Sequence, residues 1–146
     1  MSEEKQVQTI EQTIGAAIEH HASGRLAQAE SIYQQILRID PDQPVAIHLL
    51  GVIAHQLGKN DTAVDLINKA IAVKPDYAEA YNNLGLTLHD LGRPEEAIAS
   101  CQQAVSLNPD YAAAHYNLAN LFRELEKFDE ALASYKNAVS LQTNYP

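Results

Sequence analysis

Apolar residues recur along this chain at helical spacing, in short runs broken by glycine and charge. In one run Tyr81, Leu84, Gly85 and Leu88 fall at i, i+3, i+4 and i+7, the period of one helix face. After the phrase "GRPEEA" the pattern resumes with Ala97, Cys101 and Ala104. The breaks read "LGKND" and "LGRPE". Glycine there suits the left-handed residue that ends a helix, and Pro94 suits the first turn of the next. The spacing therefore predicts pairs of helices joined by tight turns.

These pairs repeat. Pro41, Pro75 and Pro109 stand 34 residues apart, and the same step aligns Ala29, Ala63, Ala97 and Ala131. Gly24, Gly58 and Gly92 form a second column, Ala70, Ala104 and Ala138 a third, and Gly51, Gly85 and Ala119 a fourth. A fixed period of this size means stacked supersecondary units, each burying its neighbour's apolar face. Small residues at the Gly85, Ala97 and Ala104 columns mark where two helix backbones come close. A larger side chain there overpacks the contact, at roughly 1–3 kcal/mol.

The columns resemble the tetratricopeptide repeat (TPR). The residues that carry the likeness are Leu-Gly in the first helix (Leu50-Gly51, Leu84-Gly85, Leu118-Ala119), alanine early in the second, then Tyr33, Ile67, Cys101 or Tyr135, a further alanine, and proline. The resemblance implies an all-α, right-handed superhelical solenoid of about four helix-turn-helix units. They are placed at about 10–43, 44–77, 78–111 and 112–145, as a single domain over residues 1–146. The first unit departs from the pattern, with Ala16-Ala17 where Leu-Gly is expected. At the other end "SLQTNYP" aligns with "SLNPDYA", so Tyr145 matches Tyr111 and Pro146 stands where a new first helix opens. The expectation is an N-terminal piece of a longer chain, or an end covered by another copy.

The balance of 10 Lys+Arg against 19 Asp+Glu, net charge −9, argues against nucleic acid or an anionic membrane as partner. A lone Cys101 makes no intramolecular disulfide, and no segment has the apolar length of a signal peptide or a membrane span. The expected location is the cytoplasm.

The resemblance also says what the first helices present, since in this family their free side lines a concave groove. At about 100° per residue, Asn83 lies roughly 200° from Gly85, away from the packed face. The strip through it runs Glu79, Asn83, Leu86 and Asp90, and its counterpart runs Ala113, Asn117, Asn120 and Glu124. An asparagine amide offers a donor and an acceptor, the complement of a peptide unit, so a row of them holds an extended backbone whatever its side chains. Such contacts net about 0.5–1.5 kcal/mol each. The row is similar to the asparagine ladder of O-linked N-acetylglucosamine transferases, and the surrounding phrases resemble the repeat arm of bacterial members of that class. Asn82, Asn83, Asn117 and Asn120 are the backbone-reading candidates, with Glu79, Tyr116, His89, Asp90, Arg123 and Glu124 beside them. Solvated amides on a free face are the plainer alternative. In the first two repeats the matching positions are Gly15 and Leu49, so the ladder begins at the third.

There the strip is apolar: Ile18, Val45, Leu49 and Val52, with Ile14 adjacent. It is expected to be covered by a partner's apolar side chains, a second copy or the chain's own N-terminal residues, or to be buried within the monomer.

Other motifs carry no chemistry. His21, His55 and His89 share a column, but successive first helices lie about 10 Å or more apart and a Zn–N bond is about 2.0–2.1 Å, so one ion does not bridge them. A groove holding them is open to pH dependence. The Lys, Asn and Arg set that grips acidic chaperone tails is absent but for an asparagine. Glu95-Glu96 and Asp129-Glu130 open second helices, where acids suit the dipole. Cys101 falls in a core column. No metal, cofactor or catalytic residue is indicated. The chain is expected to be no enzyme by itself, but a scaffold for a protein or an extended peptide. It would serve as the recruiting arm of a larger glycosyltransferase-like protein or as a free-standing, self-associating adaptor.

Overall fold

The computed structural model describes residues 2–143, so Tyr145 and Pro146 lie outside the described residues. The helices come in pairs, and among the described residues there are no strands. They are α1 (Glu3–Ala22), α2 (Leu26–Ile39), α3 (Pro44–Gln56), α4 (Asn60–Val73), α5 (Ala78–Asp90), α6 (Pro94–Leu107), α7 (Ala112–Glu124) and α8 (Phe128–Thr143). The chain divides into two compact units, Met1–Val73 with α1 to α4 and Lys74–Pro146 with α5 to α8.

Each turn within a pair is closed in the same way. Gly24, Gly58 and Gly92 take φ values of 79°, 77° and 73°. In the first turn the N–H of Gly24 donates to the His21 carbonyl at 3.1 Å and that of Arg25 to the His20 carbonyl at 2.9 Å. This is the Schellman pattern, in which a left-handed residue lets two N–H groups reach back over the last turn. The fourth copy has the same bonds, Glu126 to Arg123 at 3.0 Å and Lys127 to Phe122 at 2.8 Å, but the left-handed residue is Glu126, at φ 58°. Between pairs, Pro41, Pro75 and Pro109 follow the ends of α2, α4 and α6 by two residues, where the helix has no further N–H to satisfy.

The core of the first unit clusters Ile14, Ala17, Ala29, Tyr33, Ile36, Ala46 and Ile53 from α1, α2 and α3. In the second unit Leu84, Leu88, Ala97, Cys101, Ala104, Leu118, Ala119 and Phe122 are buried. The glycine column is a genuine close approach. A Cβ on Gly51 would meet Ile67 Cγ1 at 2.7 Å, and one on Gly85 would meet Cys101 Sγ at 2.5 Å. Cys101 is fully buried and its thiol is pushed up to about 12, so it is a small core residue with no nucleophilic role.

Candidate functional site

Helices α5 and α7 pack against one another within the second unit. Residues 35 apart, one step past the sequence period, meet across them. The Nδ2 of Asn117 donates to the Oδ1 of Asn82 at 3.0 Å, and His89 Nε2 donates to Glu124 Oε2 at 2.6 Å. Between these two cross-links lies a cleft of about 200 Å³. From α5 it is lined by Gly85, Leu86 and His89, and from α7 by Asn117, Asn120, Leu121, Arg123 and Glu124.

The amides divide into two kinds. Asn82 is only 5% exposed, and besides accepting from Asn117 it donates to the Tyr111 hydroxyl at 3.4 Å. It is an internal fastener between helices and lies outside the cleft. Asn83 is half-buried and does not line the cleft either, although its backbone carbonyl accepts the Thr87 hydroxyl at 2.8 Å. Asn117 is half-buried at the cleft wall, and with its NH2 turned to Asn82 its own Oδ1 accepts from no group among the described residues. Asn120 accepts the Tyr135 hydroxyl on Oδ1, which leaves its NH2 without a partner among the described residues. The wall thus offers one carbonyl and one NH2 on a single helix face, three residues apart, above the apolar Leu86 and Leu121.

Charge gathers at one end. His89 Nδ1 stands 3.5 Å from Asp90 as well as bonding Glu124, so both acids lean on one imidazole. Arg123 is exposed and has no ion-pair partner among the described residues. Tyr116 is half-exposed outside the cleft, edge-on to Tyr135 with ring centroids 5.8 Å apart. Glu79 is exposed and also outside it.

In the first unit the same step of 35 brings His21 Nε2 to 2.7 Å from Gln56 Oε1. The apolar strip there is mostly internal. Ile14 is a core residue at 8% exposure, and Val45 and Leu49 are half-buried against that core. Val52 is half-buried, and Ile18 is 45% exposed. The strip closes because α1 and α3 share one apolar cluster with α2, a contact that a single-helix wheel does not display. Of the histidines in the column, His21 and His89 each bond a residue on the next first helix of their own unit. Among the described residues no group of three or more His, Cys, Asp or Glu is placed to hold a metal. No described helix is long and apolar enough to cross a membrane.

Leu86 stands in the strip read from the sequence, whereas Leu121, the other floor residue, and Tyr111 and Tyr135, which hold the amides, have no groove role in that reading. The signal for Leu121 is its place four residues after Asn117, on the same helix face.

Three family descriptions match the chain: "Tetratricopeptide repeat" over residues 76–144, "TPR repeat" over 51–92, and a further "Tetratricopeptide repeat" over 16–43. The chain belongs to the tetratricopeptide-repeat family. This TPR protein has the all-α fold of the TPR solenoids, a non-catalytic scaffold for protein interaction. Among solved structures it is similar to a crystal structure of MamA, with TM-score 0.80 and 22% identity over 92% of this chain and 78% of that one. A MamA fragment from Desulfovibrio magneticus gives TM-score 0.80 and 20% identity, over 93% and 77%. At these identities the likeness is one of fold. A mutant O-GlcNAc transferase from Thermobaculum terrenum is 33% identical at TM-score 0.79, and covers 84% of the TPR chain but only 23% of its own. The likeness to a bacterial transferase of this kind agrees with the resemblance carried by the repeat phrases. No curated protein sequence matches the chain.

Proposed function

We propose that this TPR chain is a cytoplasmic peptide-binding scaffold whose binding site is the α5–α7 cleft, and that it serves as the recruiting arm of a larger glycosyltransferase-like protein. The observation that carries the site is the pair of unfilled polar groups, Asn117 Oδ1 and Asn120 NH2, above a floor of Leu86 and Leu121. A carbonyl and an NH2 on one wall match the N–H and C=O of an extended strand, while the apolar floor accepts an intervening side chain. His89, Asp90, Glu124 and Arg123 then bias which charged side chains are tolerated at one end of the cleft. Asn82 contributes indirectly, by holding Asn117 in place. The transferase context is supported by the 33% identity over 84% of the chain.

The test is a titration with a pool of capped decapeptides of random sequence, followed by amide NMR shifts. Shifts centred on α5 and α7, and lost in Asn117→Ala/Asn120→Ala, support the site; shifts elsewhere or none at all reject it. The adaptor reading keeps one observation of its own, the exposed apolar side chains of α8. An open reading frame that adds an α/β catalytic domain favours the arm, and one that adds none favours the adaptor.

A further inference from the structure

The cleft of the second unit has one part that a peptide backbone does not use. Its floor is carbon, Leu86 from α5 and Leu121 from α7, and Gly85 beside them adds no side chain. Leu86 is half-buried and Leu121 buried. Two cross-links inside the unit finish the walls, Asn117 to Asn82 at 3.0 Å and His89 to Glu124 at 2.6 Å. The floor therefore lies whole between two consecutive first helices. The column that supplies Leu86 supplies Asn120 one repeat later, 34 residues on, so exchanging leucine for asparagine at one repeat position separates floor from wall.

Extended-strand geometry fixes how many side chains reach that floor. The N–H and C=O of one residue leave a strand on the same side, its side chain stands roughly perpendicular to them, and the neighbouring side chains take the opposite face. Asn117 and Asn120 are about 4.5 Å apart along α7, which suits the two polar groups of a single residue. A residue gripped there turns its own side chain to the floor and both neighbours to solvent. The reverse would crowd two side chains into about 200 Å³.

The floor also decides the kind of side chain. Asn117 Oδ1 and Asn120 NH2 are taken by the backbone, Asn82 lies outside the cleft, and Glu124 is held by His89. A charged side chain over Leu86 and Leu121 sheds water and meets carbon, at a cost, whereas an aliphatic one gains with each CH2 it buries. An apolar cavity of about 150 Å³ takes a benzene ring. A cleft of about 200 Å³ therefore has room for Val, Leu or Ile. We infer that the cleft reads one residue of its peptide and selects an aliphatic side chain there, with Leu86 as the specificity-determining residue. This rests on the peptide-binding reading of the cleft. Leu121 shares the floor but belongs to the core, at 5% exposure.

Four labelled, capped decapeptides of one Ser-Gly host sequence, differing only in a central Leu, Ala, Glu or Lys, test this by fluorescence anisotropy. The parent chain should bind the Leu guest about tenfold more tightly than the Ala guest, with Glu and Lys no better than Ala. Leu86→Ala should shrink the Leu preference to under about threefold, and Leu86→Glu should reverse the order so that Lys binds best. Both variants should melt as cooperatively as the parent, because Leu86 is only half-buried. Asn117→Ala/Asn120→Ala should weaken all four guests by one factor and keep their order. Equal affinity for the Leu and Ala guests, still lost in the asparagine variant, overturns the aliphatic selection and leaves the peptide site standing. A Leu preference that survives both Leu86 variants overturns the role of Leu86. Binding of none of the four overturns the selection and the peptide site together.

Discussion

The two units use one scaffold for two surfaces. Both join first helices through a histidine and a residue 35 positions on, His21 to Gln56 in the first and His89 to Glu124 in the second. Around that shared fastening the first unit fills the inter-helix space with Ile14, Val45 and Leu49, packed on a common cluster. The second places Asn82 and Asn117 there and leaves a cleft of about 200 Å³ beside them. Apolar side chains at these positions gain by excluding water, so the surface closes. Amides need partners, so Asn82 and Asn117 pair with each other, while Asn117 Oδ1 and Asn120 NH2 stay open at the cleft wall. A few positions per repeat are enough to turn an apolar inter-helix contact into a polar-walled cleft.

Substitutions that exchange or remove these features sharpen the contrast. The largest effect is expected at Asn82→Ala, which strands part-buried groups on Asn117 and Tyr111 and should cost about 2–3 kcal/mol in chemical denaturation. Unit 2 should lose its hydrogen-exchange protection while unit 1 keeps its own. If the loss is under ~0.5 kcal/mol, the amide pair does not hold α5 to α7. Next is Gly85→Ala, whose methyl would stand 2.5 Å from Cys101 Sγ. Overpacking at roughly 1–3 kcal/mol outweighs the gain of about 1 kcal/mol in helix propensity, so a net loss near 1 kcal/mol is expected. Gly15→Ala, with nothing within 4 Å of its Cβ, should instead stabilise.

In the first unit Tyr33 is fully buried and its hydroxyl has no partner, so Tyr33→Phe should stabilise by about 1 kcal/mol. Burial pushes that hydroxyl up to about 12, against an ordinary value near 10. The unfolded chain therefore ionises first. The Tyr33 contribution to stability should be level below about pH 10 and change as pH rises toward 12, with the folded state losing ground there, and Tyr33→Phe should reduce that fall. Smallest is Glu126→Gly. Relieving the left-handed φ of 58° should add about 0.5–1 kcal/mol, read as a small rise in Tm.

How far the sequence foretold this depends on the distance over which each feature is decided. The helix pairs, the glycine turns and the close approach at Gly85 are set within one repeat and were readable from the 34-residue columns. Glu126 was not readable, because the bonds from Glu126 and Lys127 hold the left-handed turn even without glycine. The amides were found as a group but not sorted. Asn82 and Asn83 are about 100° apart on the helix, and only the position of α7 decides which of them turns inward. The contact rule, one residue past the period, belongs to the packing of neighbouring first helices and appears in no single repeat. The same holds for Ile14, which a wheel of α1 places near the surface and the neighbouring helices bury.

The central claim is that the open polar groups of the second unit, and not the sealed strip of the first, receive the peptide backbone. Its most direct test is the affinity for the capped random decapeptide pool, measured by fluorescence anisotropy, for Asn117→Ala/Asn120→Ala beside Ile18→Ala in the first unit. Losing two backbone hydrogen bonds of about 0.7 kcal/mol each should weaken binding about tenfold, and Ile18→Ala should leave it unchanged. Equal affinity for the asparagine double variant and the parent chain, or a loss confined to Ile18→Ala, would contradict it.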